Sequence, residues 1–168
     1  EADTIQLLDR FVDRLTPPIL KTKQVEIYAT NGWSKTLDPN GYFRRLSWTA
    51  YDLGLSGVGI WSMYNSSGAV HPEHGWSDFS GNEVDFGLLY AGQNGCVHAS
   101  RRLLAFQRGL EDFAVMRSCA RQQPGDDQSN RVRGLIARTD AGPADYDKTL
   151  HSLAAPCLER ARGADSNK

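Results

Sequence analysis

Ser100-Arg101-Arg102-Leu103-Leu104-Ala105-Phe106-Gln107-Arg108-Gly109-Leu110-Glu111-Asp112-Phe113 is the stretch on which the fold turns. Leu103, Phe106, Leu110 and Phe113 recur three or four residues apart, the spacing that lines one face of an α-helix. Ser100 stands where its hydroxyl can accept a hydrogen bond from a free N–H of the first turn. Gly109 breaks the pattern. Inside a helix glycine costs about 1 kcal/mol relative to alanine, so this position calls for another backbone or a bulky ring packed closely against it. Glu111 and Asp112 follow Arg108 by three and four residues, which suits local ion pairs, and Arg44 or Arg45 upstream is a further partner. The two acids lie well inside the helix and read as packing charges.

Upstream, Gly57-Val58-Gly59-Ile60-Trp61-Ser62-Met63 is a short, almost wholly apolar run, expected to be a strand buried on both faces of a parallel sheet. Before it, Phe43, Leu46, Ala50 and Leu53 are spaced for a helix, and Gly54 falls where a left-handed C-terminal cap belongs. Val25 to Thr30 is rich in β-branched and aromatic residues and runs into Asn31-Gly32, a strand entering a loop. At the start, Ile5, Leu8, Phe11 and Leu15 predict a helix that Pro17-Pro18 ends. Between Tyr64 and Val97 lies a long, polar, glycine-rich connection with an apolar patch at Phe86 to Tyr90, of a length usually reserved for function. After the break at Pro124-Gly125-Asp126-Asp127, weaker helices are expected over Val132 to Thr139 and Tyr146 to Ala161, then a frayed end.

Alternating helices and strands imply parallel strands with helical crossovers, an α/β fold. Two strands leave open edges, and a closed eight-stranded barrel takes about 250 residues. The expectation is therefore the C-terminal portion of a (β/α)8 TIM-type barrel over residues 1–121, with extra C-terminal helices over 122–168.

Composition narrows the partners. In 168 residues, 19 basic side chains face 20 acidic ones for a net charge of -1, without the basic footprint of a nucleic-acid binder. No apolar run approaches the roughly 20 residues that cross a bilayer, and the acidic amphipathic start is unlike a signal peptide. The segment reads as soluble and away from membranes; its compartment stays open, a secreted or periplasmic parent among the options. Cys96, Cys119 and Cys157 are odd in number and lack metal-type spacing, so reduced structural thiols are expected, with a bridge from Cys96 to Cys119 or Cys157 as the alternative.

The run Gly41-Tyr42-Phe43-Arg44-Arg45-Leu46-Ser47-Trp48, then Gly54 to Ser62, then Ser100 to Phe113, in this order and spacing, resembles the C-terminal third of the catalytic domain of glycoside hydrolase family 123 and its uncharacterised relatives. The resemblance spans about Leu15 to Met116. It implies that the strand at Val25 is similar to the seventh of the barrel, that at Gly57 to the eighth, and the helix at Ser100 to the closing one. It also implies removal of β-linked N-acetylgalactosamine with substrate assistance, in which the acetamido oxygen attacks the anomeric carbon. The family uses an adjacent Asp-Glu pair on an earlier strand, and this chain has no Asp-Glu dipeptide. The resemblance therefore assigns no catalytic residue here and makes this segment inactive without the N-terminal barrel units of its parent chain.

Barrel sites form at the carboxyl ends of strands, here Tyr28 to Trp33 and Trp61 to Asn65. Rings stack on the C–H face of a sugar while amides and hydroxyls bond its hydroxyls. Trp61 is the leading sugar platform, with Tyr28, Asn31, Trp33 and Tyr64 as secondary contacts; Trp48, on a helix, is expected to pack in the core. His71-Pro72-Glu73-His74 lacks the helical spacing of a zinc site, and no glycine-rich phosphate motif follows either strand, so no metal or cofactor is expected. Asp78, Glu83 and Asp85 read as solvated loop charges. The expected function is the C-terminal part of a glycoside hydrolase with a carbohydrate substrate. Alternatives are a non-catalytic carbohydrate-binding or interaction module, or an inactive truncated product.

Overall fold

Three strands, Thr4–Leu8 (β1), Gln24–Ala29 (β2) and Gly57–Ile60 (β3), form a parallel sheet in the order β1-β2-β3 in a computed structural model. The structure describes residues 3–29, 38–60, 63, 88–91, 94, 96–120 and 126–165. Helix α1 (Pro17–Thr22) connects β1 to β2, and α2 (Arg45–Asp52), entered through a π-turn at Asn40–Arg44, leads to β3. A hairpin of β4 (Leu89–Ala91) and β5 (Val97–Ala99) precedes the long helix α3 (Arg101–Ala120), which is followed by α4 (Asp126–Ile136) and α5 (Pro143–Asp165). The fold is mixed α/β.

The opening segment corrects the sequence reading. Residues 4–8 are a strand, and a 3-10 turn at Asp9–Arg14 replaces the rest of the expected helix. Thr4 and Gln6 are exposed while Ile5 and Leu7 are half-buried, an alternation of period two that competes with the helical spacing over so few residues. Parallel pairing with all five positions from Gln24 to Tyr28 decides it. Pro17 and Pro18 then begin α1 instead of ending a helix, because the first turn has no use for their missing N–H groups.

Gly54 caps α2 as expected, at φ 68°. The chain then turns into β3, with the Leu55 N–H donating to the Ala50 carbonyl at 2.8 Å and the Ser56 N–H and hydroxyl both donating to the Val25 carbonyl at 2.8 and 2.7 Å. Ser100 caps α3, its hydroxyl accepting from the Leu103 N–H at 3.2 Å. The hairpin is pinned at its open end. Leu88 and Leu89 donate to the Met63 carbonyl at 2.9 and 2.8 Å, and the Ser100 N–H donates to the Leu88 carbonyl at 2.9 Å.

One core lies between sheet and helices. Val25, Ile27 and Ala29 of β2 share it with Phe43, Leu46 and Ala50 and with Ala105, Phe106 and Phe113 of α3. β3 is only half-buried at all four residues, so the expectation of a strand covered on both faces is corrected. A second cluster joins Trp48 of α2 and Met116 of α3 to Val132, Leu135, Tyr146 and Leu153 of the last two helices. Trp48 is wholly buried, with its ring edge-on to Tyr146 at 5.4 Å. Cys119 and Cys157 form a disulfide with Cα atoms 5.5 Å apart, and Cys96 is free and exposed. The expected reduced set, and the alternative bridges from Cys96, are thereby corrected: helix packing, invisible in the spacing, brings α3 beside α5.

Candidate functional site

The alternation along β2 divides the sheet into two faces. Val25, Ile27 and Ala29 point into the core, leaving Glu26 and Tyr28 half-buried on the opposite face. Gln6 on β1 donates its side-chain amide to Glu26 Oε2 at 3.2 Å. Across on β3 stand Gly57 and Gly59, in register with Glu26 and Tyr28. A Cβ at Gly57 would lie 3.3 Å from Glu26 Oε1, and one at Gly59 would lie 3.4 Å from Tyr28 Cβ. The two glycines therefore leave room for the Glu26 and Tyr28 side chains beside β3. This face is polar, unlike the face that packs on the helices.

At the carboxyl ends of the strands, Leu8 pairs with Tyr28, Tyr28 with Gly59, and Ala29 with Ile60. Asp9 is the next residue after β1, and Tyr42 stands in the π-turn that opens the helix after β2. The Tyr42 hydroxyl donates to Asp9 Oδ2 at 3.5 Å, while Asp9 Oδ1 accepts from the Arg10 N–H at 2.8 Å. Burial first, then the charge of Asp9 and its hydrogen bond, push the Tyr42 phenol well above its ordinary value. Beside it, the guanidinium groups of Arg10 and Arg14 lie 5.1 and 4.6 Å from the centre of the Phe11 ring.

Tyr28 is the sequence-predicted contact that falls among the described residues, and it stands at the carboxyl end of β2 with its side chain on the polar face. Trp61, Asn31, Trp33 and Tyr64 lie outside the described residues, as do the His71 to His74 loop, Asp78, Glu83 and Asp85. Asp9 and Tyr42 were missed. Taking residues 5–15 as a helix placed Asp9 inside an element, whereas the alternation of Thr4 to Leu8 would have put it just beyond a strand. His98 sits on β5 opposite Tyr90. Among the described residues, no group of three His, Cys, Asp or Glu side chains could hold a metal ion.

Glu111 and Asp112, the adjacent acids of α3, have opposite surroundings. Asp112 is 2% exposed. Its Oδ2 accepts from Arg44 Nε at 2.6 Å and Trp48 Nε1 at 2.8 Å, and its Oδ1 accepts from Arg44 Nη2 at 3.1 Å. The same guanidinium donates to Asp147 at 2.6 Å and to the Pro143 carbonyl at 3.3 Å, and lies 5.2 Å from the Tyr146 ring centre. Burial pulls the Arg44 pKa down, but the bonds to Asp112 and Asp147 outweigh it and leave the pKa raised. Glu111 faces solvent, accepting from Arg108 at 3.1 Å and from Gln107 at 3.3 Å.

Gly109 explains how α3 comes so close to Arg44. A Cβ there would stand 2.9 Å from the Arg44 carbonyl oxygen and 2.9 Å from Ser47 Oγ, closer than packed atoms allow. The close backbone expected from the sequence is thus the turn leading into α2. Ser47 Oγ is itself buried with no hydrogen-bond partner. Every oxygen of the Asp112 carboxylate is engaged inside this network, which leaves it no role toward a ligand. Compared with models of protein families and with curated proteins, the chain matches none.

Proposed function

We propose that the chain is the C-terminal part of a (β/α)8-barrel glycoside hydrolase related to family 123, residues 1–121 supplying one wall of a carbohydrate pocket and 122–168 a helical tail. The observation that carries this reading is the parallel order β1-β2-β3, each strand followed by helical chain before the next, which is the repeating unit of such barrels. A second observation supports it. Two of the stretches that carry the resemblance, 41–48 and 100–113, meet at Gly109 and through the bonds of Asp112 to Arg44 and Trp48.

In this reading the polar sheet face and the strand ends look into the pocket. Trp61 is the sugar platform, and Tyr28, Asn31, Trp33 and Tyr64 are secondary contacts, with a carbohydrate as the partner. The acid that protonates the leaving oxygen belongs to an Asp-Glu pair on an earlier strand of the parent chain, and the reaction is release of a β-linked N-acetylgalactosamine with help from its own acetamido group. Asp112, buried and triply bonded, and Glu111, on the outer face of a helix, take no part.

The test is turnover of an aryl β-N-acetylgalactosaminide by the 168-residue chain and by the chain extended through its upstream reading frame. None is expected from the first. Turnover is expected from the second, lost when its Asp-Glu pair is changed to Asn-Gln. Turnover by the 168-residue chain that Glu111→Gln abolishes, or none by the extended chain, would contradict the proposal.

A further inference from the structure

We propose that the end of α5 from Pro156 onward is a redox-controlled element, docked on α3 while the bridge between Cys119 and Cys157 is closed and released when it opens. This device stands apart from the carbohydrate reading above and does not depend on it.

The two ends of α5 are held by different means. At its start the Gly142 N–H donates to Asp145 at 2.9 Å, Tyr146 is wholly buried with its ring edge-on to Trp48, and Asp147 accepts from Arg44 at 2.6 Å. Further along, Leu153 and Ala154 are buried and the Ser152 hydroxyl accepts from Arg131 of α4 at 2.6 Å. Past Ala154 full burial stops. Ala155 and Cys157 are half-buried, Pro156 and Glu159 are exposed, and Leu158 is 53% exposed, so this end keeps little apolar surface from water. Pro156 has no N–H for the Ser152 carbonyl, which interrupts the hydrogen-bond ladder of the helix one residue before Cys157. The covalent bond from Cys157 to Cys119, a buried residue of α3, then fastens this end to the body.

Opening the bridge takes a dithiol as reductant. Its thiolate attacks the sulfur of Cys157, the more exposed of the two residues, and forms a mixed disulfide while Cys119 leaves as a thiolate and takes up a proton. The second thiol of the reductant then displaces Cys157. The reductant ends as a disulfide and the bridge as two thiols, richer by two electrons and two protons. The start of α5 keeps its noncovalent ties, and the core of sheet, α2 and α3 lies outside the loop that the bridge closes, with Arg44 still bonded to Asp112. The change is therefore local to the end of α5. Bridges persist in oxidising surroundings and open in reducing ones, so the two states of this helix follow the surroundings of the chain.

Hydrogen exchange read by mass spectrometry tests this on the 168-residue chain carrying Cys96→Ser, oxidised and after treatment with dithiothreitol. A chain that adds Cys119→Ser and Cys157→Ser stands for the open state without reductant. On opening, the amides of 157–165 are expected to lose protection about tenfold or more, while those of 146–154 and of α3 stay within about twofold. The serine variant should match the reduced chain. Equal protection of 157–165 in the two states overturns the proposal, as does a thiol count that finds Cys119 and Cys157 free in the oxidised chain. A loss spread through α3 and all of α5 assigns the bridge to the whole fold and also overturns it.

Discussion

Arg44 and Arg138 each face two carboxylates, and the difference between them shows what burial does to an ion pair. The Arg44 side chain is 4% exposed, and that of Asp112, its main partner, 3%. The Arg138 side chain is 45% exposed and pairs with Asp140 at 3.1 Å in the turn between α4 and α5 and with Asp145 at 2.9 Å in the first turn of α5. Similar distances thus sit in two different solvents. In the core, removing one partner strands a charge that water cannot reach; in the turn, water replaces the partner at once. The first ties the π-turn that leads into α2 to both α3 and α5, whereas the second trims a surface.

The largest expected break is Asp112→Ala, which leaves the Arg44 guanidinium and the Trp48 indole N–H without their shared acceptor. A loss of about 3–5 kcal/mol in urea unfolding is expected. Next comes the covalent link between the same helices. Cys157→Ser opens a bridge that closes a 38-residue separation, and should cost about 3 kcal/mol, read by the same unfolding in oxidised protein and abolished by reductant. Gly109→Ala forces a methyl against the Arg44 backbone and should cost about 1–3 kcal/mol; an unchanged midpoint would show that α3 can shift without loss.

Alkaline pH sharpens the contrast from the tyrosine side. Burial raises the pKa values of Tyr42, Tyr51 and Tyr146, with the charge and hydrogen bond of Asp9 adding to the first, and Arg45 and Arg44 partly offsetting the last. A raised folded pKa gives stability that is complete below the unfolded value of about 10 and is lost as pH rises beyond it. Unfolding midpoints should therefore fall above about pH 10, and Tyr42→Phe should make that fall shallower. Arg138→Gln closes the series. The hydrogen bond from Arg138 lowers the Asp140 pKa, and the Gly142 N–H, then Arg138, lower that of Asp145. Their contribution is present above the ordinary carboxylate range and fades as pH falls, but all three side chains are solvated, so no shift in the neutral-pH midpoint is expected.

Much of this fold could be read where periodicity and capping agreed. The helix at Ser100, the cap at Gly54, the strands at Val25 and Gly57 and the close approach at Gly109 all follow from local signals that tertiary packing did not override. Thr4 to Leu8 failed because a five-residue run satisfies both periods, and only pairing with β2 selects one. The bridge between Cys119 and Cys157 failed for a related reason: 38 intervening residues carry no local record of which helices will touch. At the candidate site, Tyr28 was legible because it ends a recognisable strand. Asp9 and Tyr42 come from separate elements, and their meeting depends on the strand that the pattern concealed.

The buried acid of α3 builds the fold by joining separate stretches of sequence through one pair, Arg44 and Asp112. A double-mutant cycle on Arg44→Met and Asp112→Leu, measured by urea unfolding, tests it most directly. A coupling of about 2 kcal/mol or more between the two positions is predicted, with the double variant more stable than the sum of the single losses implies. Losses that add to within about 0.5 kcal/mol would contradict it.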